Sequence, residues 1–356
     1  MNLADEPHGG SLNTVVYDGD LVVKSYDGIL TRGHEKLHRE YVYLRSLPLN
    51  AARHFATLHT FAEEFDPHVT TLTLKRHAAP SVAKALLDGL LDPERTGRIV
   101  DHAARLLLEQ VYPIASEPCD AQAVYDRYHA ARLGAIDDLA SKPGLAPLVT
   151  ARSITVNGRR CPSMDEIKAW LNDHARGFFT DRRTLVRAHL DPQLDNVLAT
   201  TTGRLDVIFI DPRGDQLGPP HYDWAKMVKS CRASYHQIHY ARFSLDMTEA
   251  GGGAAVTLKV APDIDGHLRA ALTHLIGLAP RFAFAEGASL DHFIGSAMVA
   301  ELVHVLSFCF YHANRPEGIN NTRVLAFLAI AALLARRLMS GSADLPSLFQ
   351  PLIPEA

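Results

Sequence analysis

The first eighty residues combine short β-branched runs with one amphipathic segment. The segment 31–47 repeats apolar residues at spacings of four and three between Leu37 and Leu44, which predicts a helix with one apolar face. An Asp-Gly pair at Asp18 is a hairpin turn signal between the first two runs. The runs with strand composition are 12–17, 21–26, 56–62 and 68–74. This part of the chain therefore predicts a small lobe of strands around one helix.

From residue 81 onwards the apolar positions follow mainly helical spacing. The segments with this spacing are 81–91, 94–111, 121–139, 221–245 and 289–340. The three glycines 251–253 are expected to form a mobile loop between the last two. The pattern predicts an α+β protein of two lobes, with a smaller β-rich lobe at residues 1–78 and a larger, mainly helical lobe at residues 79–356.

Composition narrows the class of protein. The 356 residues carry a net charge of -4 and 47% hydrophobic residues, as expected for a soluble globular chain and not for a nucleic-acid binder. The four cysteines are far apart, which argues against a zinc site or a disulfide framework. The longest apolar run, 324–335, is too short to cross a bilayer, and the N-terminus has no signal-peptide pattern. We expect a cytoplasmic protein without membrane or nucleic-acid partners.

One short stretch concentrates ionisable residues between apolar flanks. Within the sequence VRAHLDPQLDNVLA at 186–199 lie His189, Asp191 and Asn196, and an apolar run at 205–210 then ends at Asp211. Turn residues between the two apolar segments predict a hairpin that brings Asn196 close to Asp211. Hard oxygen ligands of this kind suit Mg²⁺, which takes its other ligands from phosphates and water. Asp191 would then be free to accept a proton from a hydroxyl group.

These motifs resemble the catalytic loop of the aminoglycoside phosphotransferase and choline kinase-like superfamily, whose members are relatives of the protein kinases. The shared pattern is HxDxxxxN followed by an apolar strand and an aspartate. The segment GPPHYDWAKMVKS at 218–230 resembles the family's GDPxYDLAKxxHS, and IDPRG at 210–214 is similar to a subgroup associated with surface-polysaccharide and small-sugar metabolism. Leu190 replaces the glycine that usually follows the histidine, and Pro219 replaces the first aspartate of the second motif.

The resemblance implies a bilobal protein-kinase-like fold and a role for each residue of the loop. Asp191 would orient and deprotonate the acceptor hydroxyl, and His189 would contribute to catalysis by orienting the loop. Asn196 and Asp211 would hold Mg²⁺ between the phosphates of the nucleotide. Asp223 would tie the catalytic loop in place.

The resemblance also implies nucleotide-binding residues in the N-terminal lobe. The residues implied to cover the phosphates are Gly9, Gly10 and Ser11. Lys24 would contact the α- and β-phosphates and would be positioned by Glu40, with Glu35 as the other candidate. ATP or GTP would be the phosphoryl donor.

The sequence thus favours a Mg²⁺-dependent kinase that phosphorylates a hydroxyl of a small molecule. The resemblance of the segments 210–214 and 218–230 favours a sugar, a cyclitol or a sugar-containing metabolite as that molecule. The alternative is a nucleotide-binding pseudokinase with a regulatory role. Four other residues attract attention as acceptor-site candidates, although a structural role is the simpler interpretation for each: His221, Glu301, His304 and His312. The oligomeric state and the identity of the acceptor stay open.

Overall fold

The computed structural model describes residues 13–28, 31–66, 68–142, 144–180, 182–214, 217–313, 320–341, 344–350 and 352–353. The strands are β1 (Thr14–Asp18), β2 (Leu21–Tyr26), β3 (Leu58–Phe65), β4 (His68–Lys75), β5 (Ser116–Cys119), β6 (Ser153–Val156), β7 (Arg159–Cys161), β8 (Arg183–Val186), β9 (Val197–Ala199), β10 (Val207–Phe209), β11 (Phe243–Ala250) and β12 (Gly253–Val260). The α-helices are α1 (Thr31–Arg45), α2 (Leu49–Ala52), α3 (Val82–Leu87), α4 (Pro93–Leu106), α5 (Ala121–Tyr128), α6 (Ala135–Ala140), α7 (Ala146–Val149), α8 (Met164–Asp173), α9 (Pro220–Arg232), α10 (Tyr235–His239), α11 (Asp265–Glu286), α12 (Leu290–Ala313), α13 (Asn321–Met339) and α14 (Leu345–Leu348).

The N-terminal lobe is an antiparallel sheet with one helix packed on it. The four strands have the order β1-β2-β4-β3, and α1 connects β2 to β3. Leu37 and Leu44 bury the predicted apolar face of α1, while Gly19 with a φ of 58° forms the tight turn between β1 and β2. The sequence pattern therefore predicted the elements of this lobe, with strand ends displaced by a few residues.

The C-terminal lobe is mainly helical and is built around α9. Every residue of α9 is buried, because α11 and α12 pack against it from different sides. The last strand of the first sheet ends at Lys75 and the first helix of this lobe begins at Val82, so the predicted division after residue 78 lies in the connection. The fold confirms the prediction of an α+β protein with a β-rich N-terminal and a helical C-terminal region.

One part of the C-terminal lobe differs from the prediction. The segment 243–260, expected to be the end of a helix followed by a mobile glycine loop, is the antiparallel hairpin of β11 and β12. Gly251 and Gly252 have φ values of 58° and 78°, as in the tight turns that suit the twist of a hairpin. The alternation of buried and exposed residues along β12 is the period-two signal that indicates a strand.

A single helix among the described residues is long and apolar enough to cross a membrane. It spans Leu290–Phe310 within α12, and 83% of its most apolar window is buried inside the protein. Length and composition alone cannot separate such a helix from the core helix of a globular protein. Because α9 and α13 cover this helix, burial within the lobe accounts for its apolar composition.

Candidate active site

The catalytic loop predicted from the sequence follows β8 and is fixed by a buried carboxylate. Asp223, in the first turn of α9, accepts hydrogen bonds from the backbone N–H of His189 at 3.0 Å and of Leu190 at 2.6 Å. The hydroxyl of Tyr112 donates a third, at 3.1 Å. Burial raises the pKa of Asp223 to about 7, even though these three donors favour the charged form. Asp223 therefore determines the backbone conformation of the loop.

Leu190, which replaces the glycine of the motif that the sequence resembles, adopts a backbone conformation that favours glycine. Its φ is 64°, in the left-handed region that costs an ordinary side chain roughly 1–2 kcal/mol. The leucine side chain is fully buried and lies against Gly218, where an added Cβ would stand 2.4 Å from Leu190 Cδ2. The absence of a side chain at Gly218 thus provides the space that Leu190 occupies.

His189 lies behind the loop, away from solvent. Its Nδ1 accepts a hydrogen bond from the backbone N–H of Asp191 at 3.2 Å, and its ring packs against Phe55 and Phe209. Burial lowers the pKa of His189 to about 4, so the imidazole is neutral at neutral pH. This geometry suits a residue that positions Asp191 and not one that exchanges protons with a substrate.

Asp191 forms an ion pair with a lysine that the sequence did not single out. Its Oδ1 lies 3.0 Å from Lys226 Nζ, and 21% of the Asp191 side chain stays accessible. Burial would raise the pKa of Asp191, but the charges of Lys226 and Lys229 outweigh it, so the pKa falls below its usual value. The carboxylate is therefore ionised and within reach of an acceptor molecule.

Asn196 and Asp211 come together through the hairpin of β9 and β10, as predicted. Asn196 Nδ2 donates to the backbone oxygen of Asp191 at 2.9 Å, which fixes the amide next to the catalytic loop. The backbone N–H of Ile210 donates to the Asn196 backbone oxygen at 3.0 Å, immediately before Asp211. Because the amide nitrogen already has a partner in the protein, the side-chain oxygen of Asn196 is the atom suited to a metal ion.

Asp211 also joins the two lobes. Lys24 Nζ, on β2, lies 3.0 Å from Asp211 Oδ1 and 2.7 Å from Glu40 Oε1 on α1. Lys36 Nζ lies 3.5 Å from the other oxygen of Asp211. Burial alone would raise the pKa of Asp211, but Lys24 and Lys36 hold it well below its usual range. Burial would likewise lower the pKa of Lys24, whereas Asp211 and Glu40 raise it above its usual value.

The backbone after Asp211 contacts the same N-terminal helix. Gly214 has a φ of 74°, and a Cβ there would lie 2.3 Å from the backbone carbon of Arg39. Only glycine fits this approach of the 212–214 segment to α1. Glu35, the other candidate for the lysine partner, instead pairs with Arg39 on the exposed face of α1.

Asp211 and Asn196 supply two oxygen donors, a number that suits Mg²⁺ bound together with nucleotide phosphates. Among the described residues no three His, Cys, Asp or Glu side chains converge as a metal site. Asp211 and Asn196 would offer one carboxylate and one amide oxygen, which suits an ion that takes its remaining ligands from phosphates and water. Gly9, Gly10 and Ser11, predicted to cover the phosphates, lie outside the described residues.

Two of the residues that attracted attention as acceptor-site candidates belong to buried ion pairs. His221 Nδ1 lies 2.8 Å from Glu286 Oε1, which also pairs with Arg183 at 3.0 Å. Glu301 pairs with Arg232. These pairs connect α9 to α11 and α12, so His221 and Glu301 have the structural role that the simpler interpretation gave them.

Lys226 is the functional candidate that sequence reasoning missed. It lies three residues after Asp223 on α9, and this spacing places both side chains on one helix face. Since Asp223 was already expected to hold the loop, that spacing could have indicated a lysine directed at Asp191. Lys229, one turn further, is fully buried and donates to Gln193 Oε1 at 3.1 Å.

Comparison with known proteins supports the fold independently of the motifs. No protein-family model matches the chain, and no curated protein matches it significantly. Among solved structures, the GDP complex of aminoglycoside 2'-phosphotransferase-IIIa is similar, with a TM-score of 0.52 over 95% of this chain and 92% of that chain. The chain has the protein-kinase-like fold of the aminoglycoside phosphotransferases. With 11% sequence identity, this likeness concerns the fold alone.

An ethanolamine kinase from Plasmodium vivax is also similar, at 11% identity, with a TM-score of 0.48 over 93% of this chain and 82% of that chain. The likeness to the aminoglycoside 2'-phosphotransferase structure confirms the bilobal kinase-like fold expected from the sequence. The roles of the individual site residues stay predictions, which rest on their geometry.

Proposed function

We propose that this protein is a Mg²⁺-dependent phosphotransferase that transfers the γ-phosphoryl group of ATP or GTP to a hydroxyl of a small molecule. The observation that carries the proposal is the convergence of Lys24, Glu40 and Asp211 across the two lobes, with Asn196 bonded to the backbone of Asp191. Phosphoryl transfer relies mainly on positioning and charge stabilisation, and this arrangement provides both.

Each residue of the site has a defined task in this reaction. Lys24, held by Glu40, would bind phosphate oxygens of the nucleotide. These oxygens would compete with Asp211 for the Lys24 ammonium. Asp211 and Asn196 would hold Mg²⁺, which when bound neutralises charge on the phosphates. As the acceptor oxygen forms its bond to the γ-phosphorus, the bond from that phosphorus to the bridging oxygen breaks and the nucleoside diphosphate leaves.

Asp191 receives the proton of the acceptor hydroxyl. Because Lys226 and Lys229 keep the pKa of Asp191 below its usual value, the carboxylate is a weak base toward a free alcohol. Its main task is therefore to orient the hydroxyl, and it accepts the proton only as the new oxygen–phosphorus bond forms. His189 holds the loop backbone and remains neutral throughout.

The charges beside Asp191 support an acceptor that carries no positive charge. The Lys226 ammonium lies 3.0 Å from the Asp191 carboxylate, and Lys229, whose pKa burial holds well below its usual value, lies with its Nζ over the rings of Tyr235 and Phe308. A polycation such as an aminoglycoside would face the positive charge of Lys226 at this position, which costs binding energy. A sugar, a cyclitol or a sugar-containing metabolite avoids that repulsion.

The experiment is a measurement of nucleoside diphosphate release with Mg²⁺ and either ATP or GTP. The acceptor panel contains neutral sugars, cyclitols, amino sugars, aminoglycosides and choline, and Asp191→Asn is measured beside the wild type. We expect a neutral polyhydroxyl acceptor to raise turnover in the wild type and not in the variant. Nucleotide binding without turnover for any acceptor would overturn the proposal in favour of an inactive nucleotide-binding regulator.

A further inference from the structure

A second cavity lies in the C-terminal lobe, away from the catalytic loop. Its volume is about 860 Å³, within the range of small-molecule sites. Its walls come from β12, the last turn of α9, α10, the first half of α11 and residues around α14. No part of the predicted kinase chemistry uses this space.

The cavity and the candidate active site meet opposite ends of the same helix. Asp223 and Lys226, near the start of α9, contact the catalytic loop, whereas Cys231 and Arg232, at its end, line the cavity. Lys226 and Arg232 are separated by about 9 Å along the helix axis and point to different sides of it. The cavity therefore lies on a different side of α9 from the catalytic loop.

The rim of the cavity is basic in a chain with a net charge of -4. Arg159, Lys259 and Arg269 are exposed residues at its edge. Asp265 is the acidic residue among the described lining residues, and it accepts a hydrogen bond from Gln237 Nε2 at 3.4 Å. Three cations around one opening favour the binding of an anion.

Two residues of the wall, Arg232 and Gln237, each have a buried polar atom that lacks a hydrogen-bond partner among the described residues. Arg232 is 6% exposed and pairs with Glu301 through Nε and Nη2, but its Nη1 has no acceptor. Gln237 is 1% exposed, and its Oε1 has no donor. Since an unpaired buried polar group is costly, a donor and an acceptor left unpaired in one cavity wall indicate a ligand that supplies both complements.

The rest of the lining is largely apolar. Leucines of β12, α11 and α14, and one that follows α14, contribute to it: Leu258, Leu268, Leu272, Leu348 and Leu352. A cavity that combines an apolar wall with a few convergent polar groups is typical of sites for small organic molecules.

We propose that this cavity is a binding site for a small organic anion that carries a hydroxyl group on an apolar body. The anionic group accepts from Arg232 Nη1 and gains from the basic rim. The hydroxyl donates to Gln237 Oε1, and the apolar body packs on the leucines. The proposal is independent of the kinase activity, because it concerns binding alone.

The test uses isothermal titration calorimetry with the full-length protein, without nucleotide. The probe 3-phenyllactate has a carboxylate, a hydroxyl and an apolar ring. Two matched compounds each lack one polar feature: 3-phenylpropionate lacks the hydroxyl, and 3-phenylpropane-1,2-diol lacks the carboxylate. We expect one molecule of 3-phenyllactate to bind, and 3-phenylpropionate to bind about tenfold more weakly, as the loss of one buried hydrogen bond implies. The diol also loses the charge that the basic rim attracts, so it should bind more weakly than 3-phenylpropionate.

Variants at the exposed rim locate the binding without disturbing the core. Lys259→Glu/Arg269→Glu should abolish binding of 3-phenyllactate. The control Arg98→Glu/Arg105→Glu makes the same charge change on the exposed face of α4 and should leave binding unchanged. No binding of 3-phenyllactate to the wild type, or equal binding to the rim variant, would overturn the proposal.

Discussion

The two carboxylates of the candidate active site are held by different parts of the molecule. The cations that contact Asp211 are Lys24 and Lys36, and both come from the N-terminal lobe. Asp191 is paired with Lys226 of the C-terminal lobe, on the helix whose Asp223 also fixes the loop. The nucleotide half of the site thus depends on contact between the lobes, whereas the acceptor half is assembled within one lobe. Substitutions should separate the two halves.

The largest expected effect is on turnover. Asp191→Asn keeps the size of the side chain but removes the charge that orients the acceptor hydroxyl, so we expect a decrease in kcat of about 10²–10⁴-fold. Nucleotide affinity should stay within a factor of about two, because Asp191 belongs to the acceptor half. Steady-state kinetics combined with calorimetry measures both quantities. A parallel loss of nucleotide affinity would show that the halves are not separate.

Substitution of Asp211, the other carboxylate of the site, should change how strongly Mg²⁺ increases the affinity for ADP. In the wild type, Mg²⁺ should tighten the binding of ADP, since Asp211 and Asn196 would share the ion with the phosphates. Asp211→Asn removes the charged ligand, and we expect the Mg²⁺-dependent gain in affinity to fall by about tenfold. Titrations with and without EDTA provide the comparison. An unchanged gain in the variant would exclude Asp211 as a ligand.

The pH dependence of kcat should show whether Lys226 governs the ionisation of Asp191. Asp191 has a lowered pKa in the wild type, so its protonation should contribute to the acidic limb only below the usual aspartate range, separately from any limb that Asp223 sets with its pKa of about 7. Lys226→Met removes the principal charge that lowers this pKa, so the acidic limb of the kcat profile should move to higher pH.

The control for this profile is Lys168→Met, which removes a lysine paired with Asp137 on another surface. It should leave the acidic limb in place. If both variants have the wild-type profile, Lys226 does not govern the ionisation of Asp191.

The smallest expected effect is a difference in stability between two variants of Leu190, in which glycine should be more stable than alanine. Truncation of the buried Leu190 should destabilise the protein by about 2–5 kcal/mol. Because φ is 64° at this position, Leu190→Gly should be about 1 kcal/mol more stable than Leu190→Ala, although glycine is ordinarily the less stable of the two. Urea denaturation of the two variants measures the difference. A more stable alanine variant would contradict the strain at Leu190.

The same contact accounts for a coupled substitution. Gly218→Ala should destabilise the wild type, because the new Cβ would overlap Leu190 Cδ2. In a Leu190→Ala background the overlap disappears, so the same change should cost much less. A double-mutant cycle isolates this coupling.

Local sequence signals predicted the parts of the fold that short-range physics determines. The Asp-Gly turn, the apolar face of α1 and the strand that ends before Asp211 all depend on neighbouring residues. The local pattern Ser-x-x-Glu from Ser163 to Glu166 likewise forms a capping box at the start of α8. The family resemblance implied that Glu40 would position Lys24, and the structure brings Lys24, Glu40 and Asp211 together.

The rest depends on contacts between distant segments. The hairpin at 243–260 was missed because its three glycines were interpreted as a mobile loop, although its β12 strand alternates clearly. The space that Gly218 leaves for Leu190, and the pairing of Glu301 with Arg232, are visible only when α9 is in place. The cavity has no local sequence signal, since its walls come from segments that lie far apart along the chain, between residues 157 and 353.

The division of the site into two halves can be tested most directly by one binding measurement. ADP is titrated with Mg²⁺ into the wild type, Lys24→Met and Lys226→Met, after thermal unfolding has shown that each variant is folded. We predict that Lys24→Met binds ADP at least tenfold more weakly, because it loses a charged contact to phosphate, and that Lys226→Met binds it like the wild type. Equal weakening in both variants, or weakening in Lys226→Met alone, would contradict the division.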